Sequence, residues 1–314
     1  MKHRILIFAL SLLFCGQTYA QQKLSLTLKE AQTYALEHNK TLKNASLDIQ
    51  KAEASRWQTL ASMLPQINIK ADYSNYCGYE LNFSGMKIPM NPSGNFTAQA
   101  AVALSGAQVI GTQIATMARE MAEVSLQKSE QEISNQVKTL YYSALVMEQT
   151  VDLLEKNLEN MRKLHLLTET SVKVGVSEQT DADQLLVQVA SMETGINSTK
   201  RSLEMINNSL RLQLGIDVNT DIELSQTIDD LLNIESAMSL LSVDFVLDNN
   251  YNYLLVKQNV DLSKKQVTLN EWNYGPTISA YYQYTTKTYF GKDEGFNMTP
   301  PNLVGASINI PVFS

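Results

Sequence analysis

Residues 274–285 read YGPTISAYYQYT, a stretch in which a proline is followed by alternating apolar and polar side chains. The preceding residues carry a helical pattern from about residue 238. Proline lacks an amide proton and moves the residue before it out of the α region, so Pro276 should stop a helix and start an extended segment. The period of two that follows predicts a strand with one apolar face and one polar face.

The same pattern occurs 211 positions earlier, where Pro65 aligns with Pro276 and both strand faces agree without a gap. A second strand matches at a shift of 206, which aligns residues 98–104 with residues 304–310. Long internal periods indicate a duplicated structural unit. We therefore expect two copies of a helix followed by a hairpin of strands.

The predicted strands have the length and patterning of transmembrane barrel strands, which have about 9–11 residues and aromatic side chains near their ends. Those aromatic residues are Tyr73, Tyr76, Tyr79, Tyr284, Tyr289 and Phe290. A soluble β-sandwich alternates in the same way, so the strands by themselves allow either architecture. Four strands are too few to close a barrel, which needs about eight, so a barrel would be shared between subunits. Residues 75–94 and 286–302 are predicted to be irregular, exposed loops.

Residues 109–172 contain no proline and predict one helix of about 95 Å, at about 1.5 Å per residue. Its apolar residues are spaced alternately by three and four positions, the pattern of a left-handed coiled-coil seam. A second helix with the same spacing ends at Gly215, and the turn at Gly175 predicts an antiparallel hairpin. Ser177 is the predicted N-cap of the second helix. A coiled coil that only spaces or dimerises is the alternative.

The N-terminus has the pattern of a secretory signal peptide. A basic start is followed by an apolar stretch at residues 5–14 and by a cleavage site after Ala20. Cleavage before Cys15, as in a lipoprotein, is the alternative. Removal of residues 1–20 takes the net charge from −7 to −9, and no basic stripe follows, so nucleic acid is not an expected partner. Cys77 then has no partner for an internal disulfide.

The sequence contains no recognisable catalytic, cofactor-binding or metal-binding motif. His38 and His165 are the histidines outside the predicted leader, and neither belongs to a zinc-type pattern. Asp181 and Asp183 are two positions apart and so do not share a helix face. We therefore predict no enzyme activity, no cofactor and no metal.

The chain resembles the TolC-type outer-membrane efflux channels over nearly all of residues 24–314. The matching motifs, in chain order, are LTLKEA at 26–31, Asn39 with Leu42, MLPQ at 63–66, VGV at 174–176 with Thr180 and Asp181, and IPVF at 310–313. Where the second repeat has Pro311, the first has Ser105-Gly106-Ala107, so one strand-to-helix step departs from the pattern.

The resemblance implies a mixed fold, with long antiparallel coiled-coil helices in the periplasm and two β-hairpins in the outer membrane. Each chain of a homotrimer would contribute four strands to a shared twelve-stranded barrel surrounded by outer-membrane lipid. The assembly would be a passive conduit of a tripartite efflux or type I secretion system, coupled through a periplasmic adaptor protein to an inner-membrane pump. The residues implied to contact the adaptor at the periplasmic tip are Val174, Gly175, Val176, Thr180 and Asp181.

We therefore predict a division of the chain into seven segments: a signal peptide (1–20), a first periplasmic helix (24–64), a first membrane hairpin (65–105), a long helical hairpin (106–215), a linker or equatorial segment (216–237), a second-repeat helix (238–275) and a second membrane hairpin (276–314). The second repeat stops before a second helical hairpin, so we expect a piece of a longer channel, and no gate residue is assigned. The alternatives are an adaptor-like periplasmic protein and a secreted coiled-coil structural protein.

Overall fold

The computed structural model describes residues 23–231, 244, 246–290 and 299–312. The predicted signal peptide lies outside these residues. The elements in chain order are β1 (Lys23–Leu26), α1 (Leu28–His38), α2 (Lys40–Ala61), β2 (Gln66–Ser74), β3 (Glu80–Phe83), β4 (Met86–Pro89), β5 (Ser93–Ser105), α3 (Gly106–Lys173), α4 (Gln179–Leu214), β6 (Asp221–Leu224), α5 (Ile228–Leu231), α6 (Tyr251–Trp272), β7 (Thr277–Tyr289) and β8 (Asn302–Asn309). The mixed fold class predicted from the sequence is confirmed.

The chain divides into two compact units, residues 1–45 with 126–246 and residues 46–125 with 247–314. In the first unit, β1 pairs in parallel with β6. Strand β6 lies within residues 216–237, the segment predicted to be a linker. Tyr141 of α3 is fully buried, and its hydroxyl donates to the Leu26 carbonyl at 2.9 Å. The surrounding core contains Leu26, Ala31, Ala35, Leu42, Ile133, Val137, Leu145, Leu210 and Leu214.

The prediction of one helix over residues 24–64 is wrong. A capping box at Thr27 and Glu30 begins α1, and the hydrogen bonds from Thr27 lower the pKa of the Glu30 carboxyl. Asn39 then leaves the helical conformation, with φ −61° and ψ 129°. Its Oδ1 accepts from the Thr41 amide at 2.8 Å and so caps α2, while its Nδ2 donates to the Gln213 carbonyl at 2.7 Å.

The helical hairpin consists of α3, with 68 residues, and α4, with 36. Its seam is buried where Leu158 of α3 packs with Val189 and Ile196 of α4. The predicted N-cap at Ser177 is wrong, because α4 begins at Gln179 and the extended residue before it, with φ −83° and ψ 150°, is Glu178. Glu178 makes no side-chain capping hydrogen bond, so α4 begins without the stabilisation that a cap provides.

The second unit contains an antiparallel four-stranded sheet in the order β2-β5-β7-β8. The prediction that residues 75–94 are irregular is wrong, since β3 and β4 form a small hairpin there. Its turn residues Ser84 and Gly85 both have positive φ, 52° and 89°, which suits the twist of a two-residue hairpin. The predicted loop at 286–302 also begins too early, because β7 continues to Tyr289.

The internal repeat is visible in the element boundaries. Helices α2 and α6 each have 22 residues, and both ends are offset by 211 positions. Each helix is preceded by a capping asparagine, Asn39 for α2 and Asn250 for α6. The predicted start of the second-repeat helix at residue 238 lies outside the described residues. Within them, α6 begins after the cap at Asn250.

Within the described residues, no helix combines the length and the apolar character that a membrane crossing requires.

Candidate functional site

The four-stranded sheet separates its side chains into an apolar and a polar face. In the register of the ladder, Ile67 stands beside Ala100, and Leu104 stands beside Ile278, which in turn stands beside Ile308. The apolar face comprises Ile67, Ile69, Ala71, Tyr73, Phe96, Ala98, Ala100, Val102, Leu104, Ile278, Ala280, Tyr282, Tyr284, Val304, Ala306 and Ile308. The cross-strand pairs thus continue each face through all four strands.

The apolar face is the more exposed of the two. Along β7 every second residue is exposed, and these are the residues of the apolar face, while the polar side chains between them are half-buried. The exposed fraction is 74% for Ile67, 54% for Ile278 and 77% for Val304. A sheet that packs on a soluble core has the opposite arrangement, with apolar residues inside and polar residues outside. This sheet therefore presents a surface suited to an apolar solvent.

The polar face is joined by side-chain hydrogen bonds between strands. Ser279 and Ser307 are 2.8 Å apart through their hydroxyls, and Asn95 Nδ2 donates to Asp72 Oδ2 at 2.8 Å. Tyr281 covers Gly305 on this face, so closely that a Cβ added to the glycine would lie 2.5 Å from the tyrosine ring. The polar face thus carries hydrogen-bonded side chains on all four strands.

The two outer strands, β2 and β8, each have one edge that pairs with no other strand in the described part of the chain. Neighbouring strands alternate in direction across the sheet, so β2 and β8 run antiparallel to each other. A second copy placed head to tail would therefore add its β2 beside β8 without breaking the antiparallel order. The two edges are therefore compatible with antiparallel pairing between copies.

Pro65 and Pro276 stand one residue before β2 and β7, at the helix-to-strand junctions predicted from the sequence. After α2, Gln66 Nε2 donates to the Ala61 carbonyl at 2.7 Å and to the Leu64 carbonyl at 2.9 Å. These two hydrogen bonds satisfy carbonyl groups at the end of the helix.

At the junction between α6 and β7, the Trp272 ring packs against Gly106 and Gly275. Sequence reasoning missed this contact. A Cβ added at Gly106 would lie 2.1 Å from the Trp272 ring, and one added at Gly275 would lie 2.7 Å from it. Both glycines are therefore needed where α6 ends beside the start of α3. The glycines are visible in the sequence, but nothing there associates Gly106 with a tryptophan 166 positions later.

The predicted tip residues lie at the turn between α3 and α4. Gly175 has φ +79°, the Gly175 amide donates to the Val172 carbonyl, and the Val176 amide donates to the Ser171 carbonyl, which together form a Schellman motif. Val174 and Val176 are 71% and 79% exposed. Thr180 and Asp181 are also exposed, in the first turn of α4, so the turn presents two apolar side chains beside polar ones.

No group of three or more histidine, cysteine, aspartate or glutamate side chains is close enough to hold a metal ion in the described part of the chain. His38 stacks on Tyr34 with ring centroids 4.1 Å apart, and Cys77 is a free, exposed thiol in the turn before β3. The exposed sheet face and the helical turn are thus the features that carry the functional argument.

Residues 32–216, more than half of the chain, match the sequence model of the family described as "Outer membrane efflux protein". A comparison with curated proteins gives no significant match.

Solved structures of outer-membrane proteins have a similar fold. Three of them are the outer membrane protein VceC from Vibrio cholerae (17% identity, TM-score 0.71, covering 91% of this chain and 69% of VceC), the outer membrane channel CmeC from Campylobacter jejuni (13%, 0.76, 91% and 61%) and the open state of the Neisseria gonorrhoeae channel MtrE (16%, 0.68, 91% and 64%). The chain therefore spans between 61% and 69% of the length of these three proteins. At such low identity the likeness concerns the fold.

Proposed function

Because the chain belongs to the outer membrane efflux protein family, we propose that it is a channel component of the outer membrane in a tripartite efflux or type I secretion system. It would act as a passive conduit for small molecules or exported substrates, with its helices in the periplasm. The single observation that carries this proposal is the four-stranded sheet with its apolar face exposed. In lipid that face is solvated by acyl chains, while the polar face lines water.

A homotrimer is the assembly that we propose. In a bilayer, unpaired backbone groups at a sheet edge cost several kcal/mol each, so β2 and β8 need partners. Head-to-tail pairing of β8 with β2 of the next copy supplies them. Small barrels need about eight strands, a number that two copies of this sheet reach and three copies exceed with twelve. Any closed ring of copies satisfies both edges, and we choose three copies because of the resemblance to the TolC-type channels.

A charge placed on either face of the sheet tests the channel proposal. Ile69→Lys and Ala280→Lys, on the apolar face and further inside β2 and β7, are expected to reduce assembly in the membrane, whereas the matched control Asn68→Lys, on the polar face of β2, is tolerated. A lysine on the lipid face costs up to about 2–4 kcal/mol, most at the midplane and less towards the interfaces, and one facing water costs little. Heat-modifiable mobility of membrane extracts on gels measures assembly. Equal tolerance of all three substitutions would contradict the barrel.

Washing membranes with carbonate separates the channel from a peripheral protein. We expect the chain to remain in the washed membrane fraction, because a closed barrel is integral to the bilayer. An adaptor-like protein without a lipid anchor, or a secreted coiled-coil protein, would be released into the supernatant. Release of the chain would thus contradict the proposed location.

We further propose that the turn between α3 and α4 contacts a periplasmic adaptor protein, which couples the channel to an inner-membrane pump. The exposed pair Val174 and Val176 supports this, since apolar anchors bordered by polar groups are typical of docking surfaces. A photo-reactive side chain in place of Val176 should cross-link to a periplasmic protein with a helical hairpin. The control position is Val187, which is 69% exposed on α4. Equal cross-linking from both positions would contradict a docking role for the turn.

A further inference from the structure

The strands of the four-stranded sheet carry three charged residues, Lys70, Asp72 and Lys287. All three lie on the polar face, and none lies on the apolar face. They occupy two adjacent cross-strand rows. Asp72 stands beside Asn95, which stands beside Lys287, and Lys70 stands beside Thr97 in the next row. We call these three residues the charged band.

The negative member of the band is already neutralised within the chain. Lys70 Nζ lies 3.2 Å from Asp72 Oδ1, and Asn95 Nδ2 donates to the other carboxylate oxygen at 2.8 Å. Lys287 has no carboxylate within ion-pair distance in the described part of the chain, and its ammonium lies 4.8 Å from the centre of the Tyr289 ring. The aromatic face stabilises the ammonium without cancelling its charge.

From this arrangement, and resting on the proposed function, we infer that the charged band sets the charge selectivity of the membrane pore and favours anionic small solutes. The remaining polar-face side chains of the four strands carry no carboxylate, ammonium or guanidinium group, so the field in this part of the wall comes from the band. Each copy contributes two lysines and one aspartate, and three copies give a ring with net charge +3. A ring of fixed positive charge raises the local concentration of anions.

The effect depends on salt in a defined way. The Debye length is about 10 Å at 0.1 M ionic strength and about 3 Å at 1 M, so the field reaches into a wide pore at low salt and is screened at high salt. Selectivity that comes from the band is therefore expected in dilute KCl and should largely disappear in concentrated KCl. Selectivity caused by a narrow steric constriction would persist.

The test is the reversal potential of the full chain in planar bilayers under KCl gradients centred on about 0.1 M and about 1 M. The double variant Lys70→Gln, Lys287→Gln is expected to lower the chloride-to-potassium permeability ratio by about twofold or more at the lower salt. Asp72→Asn should raise the ratio. The control Lys87→Gln, which removes a lysine from β4 outside the four-stranded sheet, should leave it unchanged.

Conductance in the concentrated salt reports whether the pore has formed and separates two kinds of failure. If the wild-type chain gives no conductance, the proposed channel function fails. If the variants conduct normally but the permeability ratio at low salt does not change, the channel function stands and the charged band is overturned. A shift in Lys87→Gln of about half the size seen in the double variant would also overturn it, because the shift would then follow the number of lysines removed rather than their position.

Discussion

In the helical hairpin the apolar side chains of the seam pack against each other, whereas in the four-stranded sheet they point outward. Val189 and Ile196 of α4 are 8% and 4% exposed, while Ile67 of β2 and Val304 of β8 are 74% and 77% exposed. Burial of apolar surface stabilises a structure in water, and the same surface needs no burial in lipid. The comparison indicates that the two regions are built for different solvents.

The largest effect is expected in the first unit, where water is the proposed solvent. Leu210 is fully buried in the core, and Leu212, two residues along the same helix, is 72% exposed. Leu210→Ala is expected to lower the free energy of unfolding by about 2–5 kcal/mol, because it leaves a cavity. Leu212→Ala should change it little. Urea unfolding followed by circular dichroism measures both, and equal losses would mean that the hairpin is not packed as described.

A smaller effect is expected at the helix-to-strand junction of the second unit. Gly106→Ala should destabilise by about 1–3 kcal/mol, because its Cβ would overlap the Trp272 ring. The control Gly111→Ala has its nearest neighbour at 3.7 Å and lies within α3, so it should stabilise slightly through helix propensity. Thermal unfolding in detergent compares the signs. A stabilising Gly106→Ala would show that the tryptophan does not occupy this position.

The turn at the end of the hairpin should respond more weakly still. Gly175→Ala places a Cβ on a residue with φ +79° and is expected to cost about 1–2 kcal/mol. Gly195→Ala, in the interior of α4 with no atom near the added Cβ, should stabilise by about 0.5–1 kcal/mol. Chemical unfolding of the pair tests this, and a shift of the same sign in both variants would contradict the left-handed turn.

The smallest effects on stability are expected from two glutamates whose pKa values differ from the ordinary one. Partial desolvation raises the pKa of the Glu148 carboxyl above its ordinary 4.5. Ionisation of Glu148 therefore opposes folding increasingly as the pH rises above the ordinary pKa, and the full penalty is present above the folded-state pKa. Glu148→Gln is therefore expected to raise the melting temperature slightly near neutral pH, and the gain should shrink as the pH falls through the folded-state pKa.

Glu159→Gln is the opposite case and serves as the control for Glu148→Gln. The hydrogen bond and charge of Lys163 lower the pKa of Glu159, so its small stabilisation is present above the ordinary pKa and is lost as the pH falls below it. This variant should melt slightly lower near neutral pH. Melting curves recorded across the pH range compare the two, and shifts of the same sign would contradict the assigned causes.

The regular, local features of the fold could be predicted from the sequence. Pro65 and Pro276 mark the start of the two strands because proline acts on its own backbone and on its immediate neighbour. The coiled-coil seam could be predicted because apolar residues are spaced alternately by three and four positions along both helices of the hairpin. The internal repeat was detectable because a proline and both faces of the following strand recur at a shift of 211, and a second strand recurs at a shift of 206.

The features that sequence reasoning missed depend on distant contacts. Asn39 interrupts a helical pattern because its side chain reaches Gln213, 174 positions away. The four-residue strand β1 is stabilised by pairing with β6, nearly 200 positions later, and such short strands carry no clear pattern of their own. The three charged residues of the band can be read from the sequence. Only the register of β2, β5 and β7 shows that they lie in adjacent rows on one face.

Spin-label accessibility along β7 tests the central claim most directly. Nitroxide labels would be placed singly from Ile278 to Thr285, in a Cys77→Ser background and in reconstituted bilayers. We expect accessibility to oxygen, which concentrates in lipid, to peak at Ile278, Ala280, Tyr282 and Tyr284. Accessibility to a water-soluble nickel complex should peak at the residues between them. Loss of the period of two, or the opposite phase, would contradict the assignment of the apolar face to lipid and the polar face to water.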